Sequence, residues 1–360
     1  PARSAPILKK GLSIIWRLTE RRNLLKMRKK TQAADAKIHK DQKERQKKEI
    51  TERLQHIKNK ILVMSGKGGV GKSSVAAYLS RALSKKGFAV GLMDVDLHGP
   101  SIPRILGLKG SVGPGHIKGK AHPVKYLPNM EVISIEVLMG DKDAATIWRG
   151  PLKGGVIRQF ISDIEWMDLD YMIIDSPPGT GDEPLTVAQT IPDAKALIVT
   201  TPQEISLADV RKSINFCRKV KMEILGMVEN MSGFNCPHCG QSIDLFGSGG
   251  GFKTALAMNV PYLGRIPLDP KLVECADAGE SYIDKYPNSE TSKAFDNLVE
   301  QITESKQAQV PEAKPSLRQE GNAQEGSIMK IAIPIAEGKL TAHFGHAAEF
   351  AIVHVENQQV

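Results

Sequence analysis

Cysteine is scarce in this 360-residue chain, which holds only Cys217, Cys236, Cys239 and Cys275. So few thiols exclude a disulfide scaffold at this length. A clustered pair in a reducing compartment points instead to metal or redox chemistry. Long apolar runs are missing as well. No stretch approaches the ~20 consecutive apolar residues that a membrane-spanning helix needs. The opening residues also lack the charged, apolar and small-residue layout of a secretory signal. A cytoplasmic home without a membrane span is therefore expected.

What is present is a globular composition, 41% apolar and 25% charged. That suffices for one sizeable α/β core with appendages, or for two domains. The net charge of +9 is unevenly placed, because residues 1–60 carry 19 Lys/Arg against 6 Asp/Glu and the rest of the chain sums to −4. A basic arm of this kind can meet nucleic acid, an anionic membrane or an acidic partner, but a solvated charged helix is the commoner outcome. The remainder carries no nucleic-acid signal, and nucleic acid is not expected as a partner.

Five segments follow from the pattern. Residues 1–26 begin without Met and show no sustained period, whereas Met27 opens a Lys-rich stretch. Residues 1–26 are accordingly expected to be a non-native or disordered leader, with Met27 as the true start. Residues 27–59 read as a basic helical arm: Ile50, Leu54, Ile57 and Ile61 fall at helical spacing, and Asp41/Arg45, Glu44/Lys48 and Glu49/Arg53 are i,i+4 pairs. From 60 to 305, helical stretches alternate with apolar runs: Ile61–Met64, Ala89–Met93, Val132–Val137, Tyr171–Ile174, Ala196–Val199, Ile224–Val228 and Pro261–Ile266. Such alternation predicts a doubly wound, mostly parallel α/β sheet that binds ligands at the carboxyl ends of its strands. Residues 306–327 are polar and rich in Pro, Gln and Glu, a flexible linker. In 328–360, Met329–Ile335 and Glu349–Val355 look like two strands around a turn containing His343-Phe344-Gly345-His346. Those 33 residues are too few for a core of their own, so an incomplete α/β domain is expected.

The chemistry concentrates after Ile61–Met64. Gly66, Lys67, Gly68, Gly69, Val70, Gly71, Lys72, Ser73 and Ser74 match G-x-x-x-x-G-K-[ST] between a strand and a helical stretch. Glycines let backbone N–H groups wrap phosphate oxygens. Lys72 supplies a point charge to the β- and γ-phosphates, the Ser73 hydroxyl can ligate Mg²⁺, and Ser74 supports the α-phosphate. ATP and Mg²⁺ are the expected ligands. Asp175 ends an apolar strand, as a Mg²⁺-positioning carboxylate must, and Ser176 to Asp182 read as a switch loop sensing the γ-phosphate. Asp94 and Asp96 follow another apolar run; Asp96 is the candidate to position the attacking water, Asp94 to orient the Mg²⁺ shell. Asn230 follows a strand, where its amide can read the adenine edge.

Cys236-Pro237-His238-Cys239 offers two thiolates on one loop, short of four-coordinate ligation, and the chain has no second C-x-x-C. A symmetric dimer solves the count, presenting four thiolates to one [4Fe–4S] cluster. One Zn²⁺, or redox or structural thiols, are the alternatives. His238 reads as a spacer. Cys217 and Cys275, each alone, read as small core residues.

Lys67, directly after the first glycine, resembles the second lysine of the deviant Walker A ATPases. In that group it reaches the nucleotide of the opposite subunit and stabilises charge on the transferred phosphoryl. Together with Asp94-Val95-Asp96 through Pro103, Trp148-Arg149-Gly150-Pro151, Asp175 through Asp182 and Glu229 through Cys239, it makes residues 60–305 resemble the Mrp/ApbC/Nbp iron–sulfur cluster carriers. The resemblance implies a MinD/ParA-like fold and a homodimeric ATPase that passes a labile [4Fe–4S] cluster from Cys236 and Cys239 to apo iron–sulfur proteins; slow turnover is expected because no obvious catalytic base beyond Asp96 is present. Neither an N-terminal four-cysteine motif nor a preceding cluster-assembly domain accompanies it. The tail from Met329 resembles the start of a NifX/NifB-like domain, which implies a nitrogenase-cofactor-type cluster held near His343 or His346. Two other readings compete: a MinD/ParA-type positioning ATPase that uses the basic arm and needs no cysteines, and an electron-donating reductase with a bridging cluster.

Overall fold

The computed structural model describes residues 41–97, 99–139, 150–236, 239 and 241–304, together with 329–336, 339–340 and 349–355. The leader, the start of the arm, the linker, the Trp148-Arg149 motif, His98, His238 and the 343–346 turn lie outside the described residues.

Helix α1 covers residues 41–55 and buries Ile50, with Leu54 packed beside it. The helical stripe expected to continue through Ile57 and Ile61 does not: both belong to strand β1, Ile57–Ser65. Ile57 pairs with Leu169 of a neighbouring strand, and the β-branched Ile57, Ile61 and Val63 are better accommodated on a pleated sheet than on a helix. The expected Glu49/Arg53 pair also gives way, because Glu49 faces Lys120 at 3.5 Å and Arg53 donates to the Trp166 carbonyl at 2.9 Å.

The remaining strands of the main sheet are β2 (Val90–Asp94), β3 (Val124–Leu127), β4 (Met130–Ser134), β5 (Leu169–Asp175), β6 (Lys195–Thr200), β7 (Ile224–Glu229) and β8 (Tyr262–Arg265). Their order is β8-β7-β6-β1-β5-β2-β4-β3, parallel throughout except for the edge pair β3/β4. The run Val132–Val137 was expected to be one strand, but β4 stops at Ser134 and Ile135–Met139 is a short helix. Ser134 Oγ accepts from the Glu136 N–H at 3.3 Å, the behaviour of a helix-initiating serine. Strand β3 was not anticipated, because its alternating Val-Lys-Tyr-Leu run is short and half-polar.

The central strands read as continuous apolar runs because both faces are covered. In β1, Ile61 and Val63 pack with Val75, Leu79 and Leu83 of helix α2 (Lys72–Lys85) on one face. Leu62 and Met64 pack on the other with Ile157 and Ile161 of helix α3 (Gly150–Ser162). Cys217, in helix α5 (Glu204–Lys219), is core on that same face, and Cys275 lies buried with the α2 layer; both match the sequence reading. Helix α4, Asp182–Thr190, follows β5, and helix α6 is Gly250–Ala257. Chain order reverses across β1, with β2 and β5 on one side and β6 on the other. The crevice at the carboxyl end of β1 is therefore the topological switch point where open α/β sheets bind ligands.

Residues 313–360 separate from 1–312 as a second unit. Taken by itself, it pairs Met329–Ala336 antiparallel with Glu349–Val355 and with the short strand Lys339–Leu340. Among the described residues no helix is long and apolar enough to cross a membrane.

Candidate functional site

Strand β1 delivers Ser65 to the switch point, and the Ser65 hydroxyl donates to the Lys67 carbonyl at 2.9 Å to start the loop. Gly71 closes it at φ +76°, and a Cβ there would lie 2.3 Å from Asn230 Nδ2, so only glycine meets both demands. Helix α2 then begins at Lys72 with no side-chain cap. Its first N–H groups, which a helix cannot satisfy internally, are thus left for an anion at the positive end of the helix dipole.

Beneath the loop lie Asp94 and Asp175, paired in register at the ends of β2 and β5 and both fully buried. Lys72, itself buried, places Nζ 2.5 Å from Asp175 Oδ1 and 3.2 Å from Ser73 Oγ. Ser134 donates to Asp94 Oδ2 at 3.1 Å, and the Asp96 N–H donates to Asp94 Oδ1 at 3.1 Å. Asp175 Oδ2 is buried without a hydrogen-bond partner. Burial first, and then the Asp175 carboxylate, hold Asp94 well above the usual carboxylate range, with Lys72 opposing. Burial likewise raises Asp175, against the charge and hydrogen bond of Lys72.

A carboxyl whose folded-state pKa is raised stabilises the fold fully below its unfolded value, near 3.9. That stabilisation is lost as pH rises through the folded value. The contribution of Asp94 and Asp175 to the stability of the ligand-free chain is therefore expected to fall from about pH 4 upward, by about 1.4 kcal/mol for each pH unit over which a carboxyl keeps its proton only in the folded state. Asp94→Asn is expected to flatten that slope. Thermal unfolding of both proteins between pH 5 and pH 9 checks it, and parallel curves would contradict the argument.

The structure brings together most of the residues singled out from the sequence. Asp96 is half-buried, and its carboxylate Oδ1 accepts from the Gly99 N–H at 3.2 Å. The proposed switch loop is tied to β1: the Ser176 hydroxyl donates to the Val63 carbonyl at 3.0 Å and the Gly179 N–H to the Ser65 carbonyl at 2.8 Å. Asn230 lies in the crevice, but its Nδ2 donates to the Val70 carbonyl at 2.9 Å, so the amide braces the phosphate loop here and does not present this donor to a base. Glu229 was missed. It is fully buried and accepts from the Gly249 N–H at 2.9 Å, and also from the Gly251 N–H and the Ser232 hydroxyl. It thereby fastens the start of α6 to the segment that leads to the cysteines. A lone Glu before Asn in the sequence carries no sign of this.

Six residues beyond Asn230, Cys236 and Cys239 occupy the turn of a small hairpin, Phe234–Asn235 against Ser242–Ile243. The Cys236 N–H donates to the Gln241 carbonyl at 2.9 Å. Cys239 is exposed and Cys236 half-buried, and Ile243, Leu245 and Phe246 nearby along the chain are also exposed. This is a surface arrangement, suited to a ligand shared with another molecule.

Residues 56–303 match the ParA-class family model of the NUBPL iron-transfer P-loop NTPases. The chain is 47% identical over 264 residues to the cytosolic Fe-S cluster assembly factor CFD1 of Kluyveromyces lactis, covering 70% of this chain and 93% of that protein. It is 45% identical over 282 residues to an iron-sulfur cluster carrier protein of Saccharolobus solfataricus, covering 78% and 91%. Among solved structures, the nucleotide-binding protein of Archaeoglobus fulgidus in complex with ADP shares 42% identity, with 65% of this chain and 91% of that one covered and a TM-score of 0.57. None of these similarities supports the NifX/NifB-like domain expected in the tail, and the family match ends before Met329. With residues 56–303 matched and the phosphate loop and cysteine hairpin inside that span, the chain belongs to the NUBPL iron-transfer P-loop NTPase family, whose members bind nucleotide and handle iron–sulfur clusters.

Proposed function

We propose that this chain is a cytoplasmic, homodimeric cluster carrier that binds and hydrolyses Mg-ATP on Gly66–Ser74. Its cargo is a [4Fe–4S] cluster held between the Cys236 and Cys239 pairs of two copies and passed to apo iron–sulfur proteins. One observation carries the reading. Asn230 is hydrogen-bonded to the phosphate loop through Val70 and stands six residues from Cys236 in the same connecting segment, so a change at the nucleotide is transmitted to the thiolates over a short, tethered path.

The residues fit the magnesium nucleotide. In the absence of phosphate, Lys72 neutralises Asp175. When the β- and γ-phosphates arrive, Lys72 exchanges its carboxylate for phosphate oxygen. Asp175, with its unpartnered Oδ2, and the Ser73 hydroxyl would then hold the Mg²⁺ of the nucleotide. That ion would supply charge neutralisation on the phosphates. Asp96 orients the attacking water, whose oxygen bonds to the γ-phosphorus as the bond to ADP breaks.

Lys67 is half-buried and has no ion-pair partner among the described residues, which leaves its ammonium for a nucleotide across a dimer. Lys67→Ala is accordingly expected to bind ATP normally and to hydrolyse it roughly 10³-fold more slowly, as for loss of an arginine finger. Nucleotide titration alongside single-turnover hydrolysis checks this; parallel loss of both would place Lys67 in its own chain's binding site. The carrier function itself is tested by mixing the anaerobically reconstituted protein with an apo [4Fe–4S] enzyme. Recovered activity of that enzyme, faster with ATP than without, is expected. A cluster that stays on the chain while shuttling electrons reversibly would favour an electron-donating reductase instead.

A further inference from the structure

His116, His122 and Glu165 form a second group of metal-ligating side chains, with one donor atom from each lying within 4.8 Å of the others. His116 comes from the excursion between the short paired strands Gly113–Pro114 and Ala121–His122, His122 from the second of those strands, and Glu165 from the segment just after α3. The imidazoles of His116 and His122 stand edge to face with centroids 4.5 Å apart, and His122 Nε2 is 3.6 Å from Glu165 Oε2.

The carboxylate is held in place from behind. The Ile117 N–H donates to Oε1 at 2.6 Å and the His116 N–H to Oε2 at 3.0 Å. Those two bonds fix the orientation of the Glu165 carboxylate. The backbone is locked as well, with the Ala121 N–H bonded to the Asp163 carbonyl and the Glu165 N–H to the Ala121 carbonyl. A Cβ on Gly115 would lie 2.7 Å from Glu165 Oε1, so glycine at that position is what lets the carboxylate sit here. A plain His–Glu contact needs neither this cradle nor a second imidazole.

We propose that His116, His122 and Glu165 bind a divalent transition ion of the zinc class, independently of the cysteine pair and of the nucleotide. Two imidazole nitrogens and one carboxylate oxygen are the donor set that such borderline ions prefer. Bond lengths of ~2.1 Å place tetrahedral ligands about 3.4 Å apart, and the His122–Glu165 pair is already close to that spacing. The other donors reach it by side-chain rotation, since His116 is exposed and His122 and Glu165 are partly exposed. Three protein ligands leave a fourth position for water.

The test uses the full chain carrying Cys236→Ala/Cys239→Ala, so that thiolates do not compete. Equilibrium dialysis against Zn²⁺ is expected to give about one ion per chain. Adding His116→Ala, a change at an exposed residue with circular dichroism as the check that the fold is kept, is expected to weaken binding at least ~10-fold, and His122→Ala to do the same. Co²⁺ used in place of Zn²⁺ is expected to show visible ligand-field absorption in the Cys236→Ala/Cys239→Ala chain that the His116→Ala change removes. A Cys236→Ala/Cys239→Ala chain that binds no zinc, or that binds it equally well without His116 and His122, overturns the proposal.

Discussion

Lys72→Ala is expected to abolish Mg-ATP binding at micromolar concentrations. Lys72 is buried at 6% exposure and sits 2.5 Å from Asp175 Oδ1, and its charge also acts on a second buried carboxylate, Asp94. Removing its charge acts twice. The phosphates lose their cation, and two buried carboxylates are left at the place where those phosphates must settle. Truncating one member of a buried charged pair costs ~2–5 kcal/mol, or roughly 30- to several-thousand-fold in affinity. Losing the phosphate cation and the ion-pair partner of Asp175 in one change places the loss at the upper end. Isothermal titration of wild type and variant with Mg-ATP checks it. Near-normal affinity in the variant would show that the loop amides suffice.

This site was legible in the sequence because phosphate chemistry constrains spacing along one short segment. From Gly66 to Ser74 every residue follows its neighbour in space as in the chain, and Asp175 announces itself by ending an apolar strand. The parallel sheet was legible for a similar reason, since strands covered on both faces become unbroken apolar runs such as Tyr171–Ile174. What escaped was set by partners distant in sequence. Ile57 and Ile61 fit a helical stripe until their pairing with β5 is known, and the strand expected through Val137 ends at Ser134, whose hydroxyl bonds both Asp94 and the Glu136 N–H. Glu229 gains its role only when α6 folds back on it. Asn230 was placed correctly in the crevice, but the partner of its amide is a backbone carbonyl, which no side-chain pattern reports. Glu165 and the two histidines beside it are more than 40 residues apart in the chain and carried no motif at all.

Cys236→Ala/Cys239→Ala is expected to remove all reconstituted iron and sulfide while leaving Mg-ATP affinity within about twofold. The two thiols lie on a hairpin that projects from the end of β7. Its loss of ligands leaves the buried core and the phosphate loop untouched, and the described cysteines other than this pair, Cys217 and Cys275, are enclosed in the apolar layers. Burial pushes the Cys217 thiol up to about 11, so it is not a competing thiolate at neutral pH. Single replacements are expected to be nearly as damaging as the double, because a cubane cluster shared by two chains loses two of its four ligands for each cysteine type removed. Iron and sulfide analysis with visible absorption checks the prediction. A double variant that keeps its iron would move the cluster to other residues, and a wild type that takes up none would favour a positioning ATPase.

The most direct test is native mass spectrometry of the anaerobically reconstituted wild-type protein. The bridging account predicts a species of two chains carrying one [4Fe–4S] unit, with no cluster on the single chain. A cluster carried by one chain alone, or two clusters on two chains, would contradict it.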